Sequence, residues 1–160
     1  MLITELLERA HRELDAMFED VDVAVSQGKH RLAREQFRRL SIRLIATMRA
    51  EHATVYPRLA FVAGLADEVS EAAREHDRIE RAINEIRLAG LAPMDWRDRV
   101  GELRNTVADH ARAEQWVLFP IATLALTSAD LKSLADAFLA YEPIAASVAG
   151  PSITYEASAA

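Results

Sequence analysis

Hydrophobic residues along the chain recur at steps of three and four positions, and polar residues fill the positions between them. This is the spacing of one buried face of an α-helix. The first stripe consists of Leu7, Leu14, Phe18, Val21 and Val25. Gly28, Gly64 and Gly90 stand where the first three stripes end, as glycines do after helices. The pattern predicts five helices, at about residues 4–27, 31–63, 67–89, 93–121 and 128–142.

Four long helices joined by short turns pack most simply as an up-down four-helix bundle. A short C-terminal fifth helix, begun by the potential cap Thr127-Ser128 and ending before Pro143, would lie across it. We therefore expect an all-α fold with a single domain over residues 1–144. From about Ala145 the residues are small and polar, which predicts a disordered tail over 145–160.

An internal repeat lies within the predicted bundle. The segment Arg49–Pro57, RAEHATVYP, returns 63 residues later as Arg112–Pro120, RAEQWVLFP. His11–Asp15 returns in the same way as His76–Glu80, 65 residues later. Because the two offsets are nearly equal, the first two helices look like a copy of the next two, and the bundle should have an approximate internal two-fold axis.

Several residues that can bind metal lie on the apolar stripes and should point into the core: His11, His76, His110, Glu51 and Glu114. A lone histidine on such a stripe is more often a hydrogen-bonded core residue, and a lone glutamate can be partly exposed. Burying unpaired imidazoles and carboxylates together costs several kcal/mol each, so the group needs a partner. The combination favours a metal ion, whereas His30, beside Gly28, should be a solvated loop residue.

The metal is constrained by the available donors. The chain has no cysteine, so thiolate sites are excluded. Imidazole nitrogen with carboxylate oxygen suits iron, manganese or zinc.

At this point the motifs resemble a known family, the hemerythrin-like domains of the HHE cation-binding class. That family has a His on the first helix, His-x-x-x-Glu before an aromatic-Pro ending on the second and fourth, and one or two His on the third. In this chain the matching residues, within about residues 5–125, are His11, Glu51 with Tyr56-Pro57, His76, and His110-x-x-x-Glu114 with Phe119-Pro120. The resemblance implies a pair of iron ions with histidines as terminal ligands and the two glutamates bridging.

The chain departs from the family pattern at two places. Thr47 stands where a His should precede Glu51, and the third helix has Ala72 and Ala73 where a second His is common. His52 is a candidate replacement ligand, since its side chain is rotated by about 100° from Glu51 and lies at the edge of the inner face. The alternative is that His52 is a helix-surface residue. Further candidates, as ligands or as acceptors for a ring N–H, are Asp15 and Glu80.

Composition and charge narrow the classes of function. The 160 residues are 51% hydrophobic and 28% charged, which is typical of a globular domain. Nineteen basic and 25 acidic residues give a net charge of 19 − 25 = −6 at pH 7, which argues against nucleic acid as the partner. The longest apolar run, residues 59–66, falls far short of the roughly 20 residues of a membrane span. Acidic residues near the N-terminus do not fit a signal peptide, so we expect a cytoplasmic protein.

These observations give one leading hypothesis. The protein would be a non-haem, di-iron protein that binds, senses or reacts with a small ligand such as dioxygen, peroxide or nitric oxide, with zinc or manganese as other possible metals. Enzymatic chemistry on peroxide or nitric oxide stays open, but no site for a larger organic substrate is visible. The alternative is a structural or interaction bundle derived from this family, with a degraded or mononuclear metal site.

Overall fold

The structure is a computed structural model that describes residues 1–88 and 92–149. Its helices are α1 (Ile3–Ser26), α2 (His30–Ala50), α3 (Tyr56–Leu59), α4 (Ala66–Leu88), α5 (Pro93–Ala113), α6 (Phe119–Ala125) and α7 (Ser128–Ala149). Two π-helical turns, Glu51–Val55 and Glu114–Leu118, connect α2 to α3 and α5 to α6 without a break. No described helix is long and apolar enough to cross a membrane.

The long helices form the four-helix bundle that the periodicity predicts. Helix α1 packs against α2 and α5, and α4 packs against α5 and α2, so the four helices close a ring around one axis. Helix α7 packs mainly against α2, α1 and the turn Glu51–Val55. The all-α class and the bundle with a fifth helix are therefore confirmed.

The helix ends follow local rules. Gly28 and Gly64 adopt φ values of 70° and 84°, which side chains with a Cβ rarely adopt. Gly28 directly follows the C-cap of α1, and Gly64 lies in the turn between α3 and α4. Thr127 caps α7 as predicted, because its Oγ1 accepts a hydrogen bond from the Asp130 N–H at 3.1 Å. Helix α1 starts earlier than predicted: the Leu2 N–H donates to the Glu5 carboxylate at 2.8 Å, and Thr4 lies within the helix.

The core consists of two apolar clusters stacked along the bundle. One surrounds Leu7, Val55 and Leu118, and the other surrounds Leu14, Met48 and Val107. Along each long helix, the chain passes from one cluster to the other through a short polar stretch. The buried polar residues of this layer are Glu51, His76, His110 and Glu114. The fold therefore holds the candidate site residues between two apolar halves of the core.

The C-terminal helix is longer than the sequence predicts. It has 22 residues, includes Pro143 and reaches Ala149. Residues 145–149 are thus helical, although the sequence pattern placed them in the tail. The domain boundary itself stays a prediction. Proline removes one helical hydrogen bond, but Ala145 and Ala149 are buried, so packing continues the helix beyond it. The rest of the predicted tail, residues 150–160, lies outside the described residues.

Candidate metal centre

The polar layer brings four side chains from three helical segments to one point. Glu51, His76, His110 and Glu114 are each at most 5% exposed. One nitrogen or oxygen atom of each lies within 4.8 Å of the corresponding atom of the others. The Nε2 atoms of His76 and His110 are only 2.8 Å apart. Two imidazoles and two carboxylates therefore converge on one small volume.

His11 faces the same two carboxylates from the opposite side. Glu51 places Oε2 at 3.2 Å from His76 Nε2 and Oε1 at 3.9 Å from His11 Nε2. Glu114 places Oε1 at 3.7 Å from His110 Nε2 and Oε2 at 3.3 Å from His11 Nε2. Each carboxylate therefore presents one oxygen to the pair His76 and His110 and the other oxygen to His11.

The oxygens that face His11 have no hydrogen bond of normal geometry within the described part of the chain. These atoms are Oε1 of Glu51 and Oε2 of Glu114, and both are fully buried. A buried carboxylate oxygen without a donor costs on the order of 1–3 kcal/mol or more. A cation bonded to these oxygens would remove that cost, so the donor set fits a metal ion.

The pKa shifts in the layer also fit a site for a metal ion. Burial and the neighbouring Glu114 charge raise the pKa of Glu51 from 4.5 to about 8. Burial also acts to raise the pKa of Glu114, but His110, His11 and His76 outweigh it and hold that pKa below its usual range. Burial lowers the pKa of His76 to about 4. Without a metal, one of the two carboxyl groups therefore tends to hold a proton.

The pKa of His11 moves in the opposite direction to that of His76. Burial lowers it, but the nearby Glu114 and Glu51 carboxylates outweigh burial and raise it above 6.5. His11 consequently tends to be protonated in the metal-free fold, where its positive charge beside the two carboxylates takes the place of a metal cation.

Two further side chains hold the converging groups in place, and both were missed by the sequence analysis as site residues. The Glu75 carboxylate lies 2.9 Å from His110 Nδ1, which leaves Nε2 as the lone-pair atom that faces the site. The Tyr56 hydroxyl donates to Glu114 Oε1 at 2.6 Å. Burial and the two carboxylates raise the pKa of Tyr56, so its phenol keeps the proton that it donates. The available signals were the pair Glu75-His76 and the repeated aromatic-Pro ending.

The backbone at the two glutamates is unusual in the same way. Each glutamate begins a π-helical turn, and each turn is followed by an aromatic residue and a proline. Proline cannot donate a helical hydrogen bond and its ring crowds the carbonyl four residues earlier, so a wider turn relieves the conflict. Turns of this kind are frequent at functional sites. The repeated motif in the sequence therefore marks a repeated backbone feature that carries the two carboxylates.

The internal repeat is visible in the aromatic contacts of the layer. The His11 ring stacks on Phe119 at a centroid distance of 6.2 Å, and the His76 ring stacks on Tyr56 at 5.2 Å. Phe119 and Tyr56 occupy equivalent places in the repeat. The two halves thus build the same histidine–aromatic contact, with a phenol in one half and a phenyl ring in the other.

Some of the predicted candidates lie away from the layer. His52 is exposed on the outer side of the turn Glu51–Val55, with its ring 6.2 Å from that of Tyr56, and it does not join the cluster. One residue of rotation from Glu51 turns the His52 side chain to solvent, so the structure does not bring it to the other predicted ligands. Asp15 pairs with Arg104 and Glu80 pairs with Arg49, so neither faces the site.

The positions that depart from the family pattern are filled by other contacts. Thr47 is buried, and its hydroxyl donates to Oε1 of Glu142 on α7 at 3.0 Å. Ala72 belongs to the apolar cluster around Leu7 and Val55. His30 is exposed at the first residue of α2, as expected for a residue outside the site.

A helical bundle with a buried layer of histidines and carboxylates defines a metal-binding class of protein. The comparison with family models agrees, because the Hemerythrin HHE cation binding domain matches residues 2–122. The chain belongs to this family.

Among curated proteins, the chain is 26% identical over 140 residues to a protein named DNA nickase from Nostoc sp.. The match covers 88% of this chain and 39% of that protein, so the chain spans about two-fifths of the relative's length. No solved structure matches this chain.

Proposed function

We propose that this domain binds a pair of iron ions in the polar layer and uses them to bind, sense or react with a small ligand such as dioxygen, peroxide or nitric oxide. The observation that carries the proposal is the division of the carboxylate oxygens. Glu51 and Glu114 each direct one oxygen towards His76 or His110 and the other towards His11. Carboxylates placed in this way can each serve two metal ions at once.

The two positions would have unequal ligand sets. The first would use His76, His110 and one oxygen of each glutamate, and the second would use His11 and the other two oxygens. Nitrogen and oxygen donors without sulfur suit iron, with manganese and zinc as the competitors. Iron, when bound, supplies redox chemistry and open coordination positions for a small ligand. The protein contributes the burial, the fixed orientation of His110 by Glu75, and the proton held on Tyr56.

A route for a small ligand supports the same proposal. A groove of about 630 Å³ opens between α1 and α5, and its lining includes His11, Arg12, Phe18, Arg104, Val107 and Gln115. His11, the histidine on the side with fewer protein ligands, therefore lies on the wall of this groove. In this proposal a small molecule would approach the second metal position from the groove. The net charge of −6 leads us to propose a small molecule of this kind, and not nucleic acid, as the partner of the domain.

Metal analysis tests the proposal directly. Protein purified after growth in iron-replete medium should contain close to two iron ions per chain and absorb in the near ultraviolet, as coupled ferric pairs do. His110→Ala and Glu114→Ala should each lose metal, whereas His30→Ala, which changes an exposed histidine outside the layer, should retain it. Equal loss in His30→Ala and His110→Ala would contradict the assignment of the site.

A second candidate is a helical bundle that has lost dinuclear metal binding. The observation that favours it is Thr47, which makes a hydrogen bond with Glu142 at the position of a family ligand. Colourless, metal-free protein from the same preparation would support a structural or interaction role. A stoichiometry near one would instead support a mononuclear site built on the four converging side chains.

A further inference from the structure

Glu142 brings a carboxylate from α7 to the position where α2 lacks the family histidine. The Thr47 hydroxyl donates to its Oε1 at 3.0 Å, and Arg43 pairs with the same oxygen. The Glu142 side chain is only 13% exposed. Both contacts use Oε1 of the Glu142 carboxylate.

The packing of α7 places this carboxylate on the His11 side of the layer. Helix α7 lies against α2, α1 and the turn that begins at Glu51. Thr47 precedes Glu51 by one helical turn, and a longer side chain at position 47 would extend into the space that the Glu142 carboxylate fills. Glu142 is also among the charges that raise the pKa of Glu51, after burial and Glu114.

The His11 side is also the side that lacks ligands. Its donors from the bundle helices are His11 Nε2 and the two buried carboxylate oxygens without hydrogen bonds, Glu51 Oε1 and Glu114 Oε2. Those three donors leave at least one position of a four-coordinate ion unfilled. Helix α7 lies beyond the residues matched by the family model, which end at 122, so a donor from α7 would come from outside the matched domain.

We propose that Glu142 is a ligand of the metal on the His11 side and replaces the histidine that is missing at position 47. The inference rests on the proposed function, because it assigns one more ligand to the same centre. Thr47 then acts as a positioning residue, because its hydroxyl holds Oε1 and leaves the other oxygen for the ion. Metal binding would also attach α7 to the four-helix bundle.

Anaerobic titration of the metal-free protein with ferrous iron, read by calorimetry and by metal content after desalting, tests this ligand. The wild-type protein should bind two ions. Glu142→Gln keeps the size of the side chain and an acceptor for Thr47, but it should weaken one of the two ions at least tenfold and leave the other unchanged. Asp136→Asn removes the same charge from an exposed position on the same helix and should bind both ions as the wild type does.

The variant Arg43→Gln distinguishes a purely structural role of Glu142 from a role as a metal ligand. This change removes the ion pair to Glu142 but leaves the carboxylate, so both ions should still bind. If Glu142 served only to attach α7 through that ion pair, Arg43→Gln would weaken metal binding as much as Glu142→Gln does, and the proposal would be overturned. Circular dichroism of each metal-free variant gives the helix content for the comparison.

A swap of ligands provides the complementary experiment. Thr47→His alone should not tighten the weaker ion, because the imidazole would meet the Glu142 carboxylate. Glu142→Ala should lose that ion, and the double variant Thr47→His with Glu142→Ala should recover it through the new histidine. Unchanged binding of both ions in Glu142→Gln and Glu142→Ala would overturn the inference and leave the di-iron proposal standing. Wild-type protein that binds no ferrous iron would overturn the di-iron proposal itself.

Discussion

The metal-free protein should lose stability as the pH rises from 6.5 to 8, and Glu51 is the main reason. Burial and Glu114 raise its pKa in the fold to about 8, from 4.5. Between these values the folded chain holds a proton that the unfolded chain has released, so the stability from this group falls as pH rises. The contribution of His11 to stability also falls as the pH rises above 6.5, because its pKa is raised in the fold.

The other perturbed groups of the layer act outside this interval. The pKa of His76 is lowered to about 4, so His76 raises stability with pH only up to about 6.5, the usual pKa of histidine. The lowered pKa of Glu114 stabilises the fold above the usual glutamate pKa, and this contribution is lost only in more acidic solution. Between pH 6.5 and 8, His76 and Glu114 therefore do not cancel the decrease in stability that Glu51 and His11 cause.

The expected size follows from the width of the interval. One proton held only by the folded state changes stability by about 1.4 kcal/mol for each pH unit. Glu51 alone then removes about 2 kcal/mol between pH 6.5 and 8. For a domain of this size, that corresponds to a fall in Tm of roughly 4–8 °C.

Urea unfolding of the chelated protein at pH 6.5 and 8, followed by circular dichroism, measures this change. Glu51→Gln should be more stable than the wild type at pH 8 and should lose most of the pH dependence. Glu85→Gln, which changes an exposed glutamate of α4, should keep the wild-type dependence. Stability that is constant or rises over this interval in the wild type would refute the placement of Glu51 as a buried, metal-free carboxyl group.

Three further changes test the layer and its supporting residues. Chelation should lower the Tm, because metal that binds only the folded state contributes about 2.7 kcal/mol when free metal is 100 times Kd; equal melting curves for loaded and chelated protein would contradict this. Glu75→Gln should weaken metal affinity about tenfold, measured by competition with a chelator, since His110 loses its carboxylate partner. Tyr56→Phe should destabilise the metal-free protein by about 2 kcal/mol in urea, because Glu114 loses a buried donor, whereas unchanged stability would show that this hydrogen bond contributes nothing.

The fold was predictable because each long helix carries a regular apolar stripe. His11, His76, His110, Glu51 and Glu114 continue those stripes, and the structure brings all five to one layer. The π-helical turns were not predicted, since periodicity does not distinguish a π turn from an α turn over five residues. The repeated aromatic-Pro ending was nevertheless in the sequence and marks both turns.

Contacts between distant elements were beyond the reach of sequence patterns. His52 was assigned to fill a gap on its own helix, whereas the carboxylate beside that gap comes from Glu142, 95 residues after Thr47. The orientation of α7 against α2 determines this contact, and no local spacing encodes it. Glu75 was missed for a related reason, because its partner His110 lies on a different helix.

The separation of the core into two apolar clusters has a consequence for how the protein can change over time. Residues around Leu7 and residues around Leu14 belong to different clusters, with the polar layer between them. A substitution that alters packing in one cluster is expected to be additive with a substitution in the other, because distant sites couple weakly. Each end of the bundle can therefore vary in sequence independently of the other. The polar layer contacts both clusters, so a change in the layer has to be compatible with both of them.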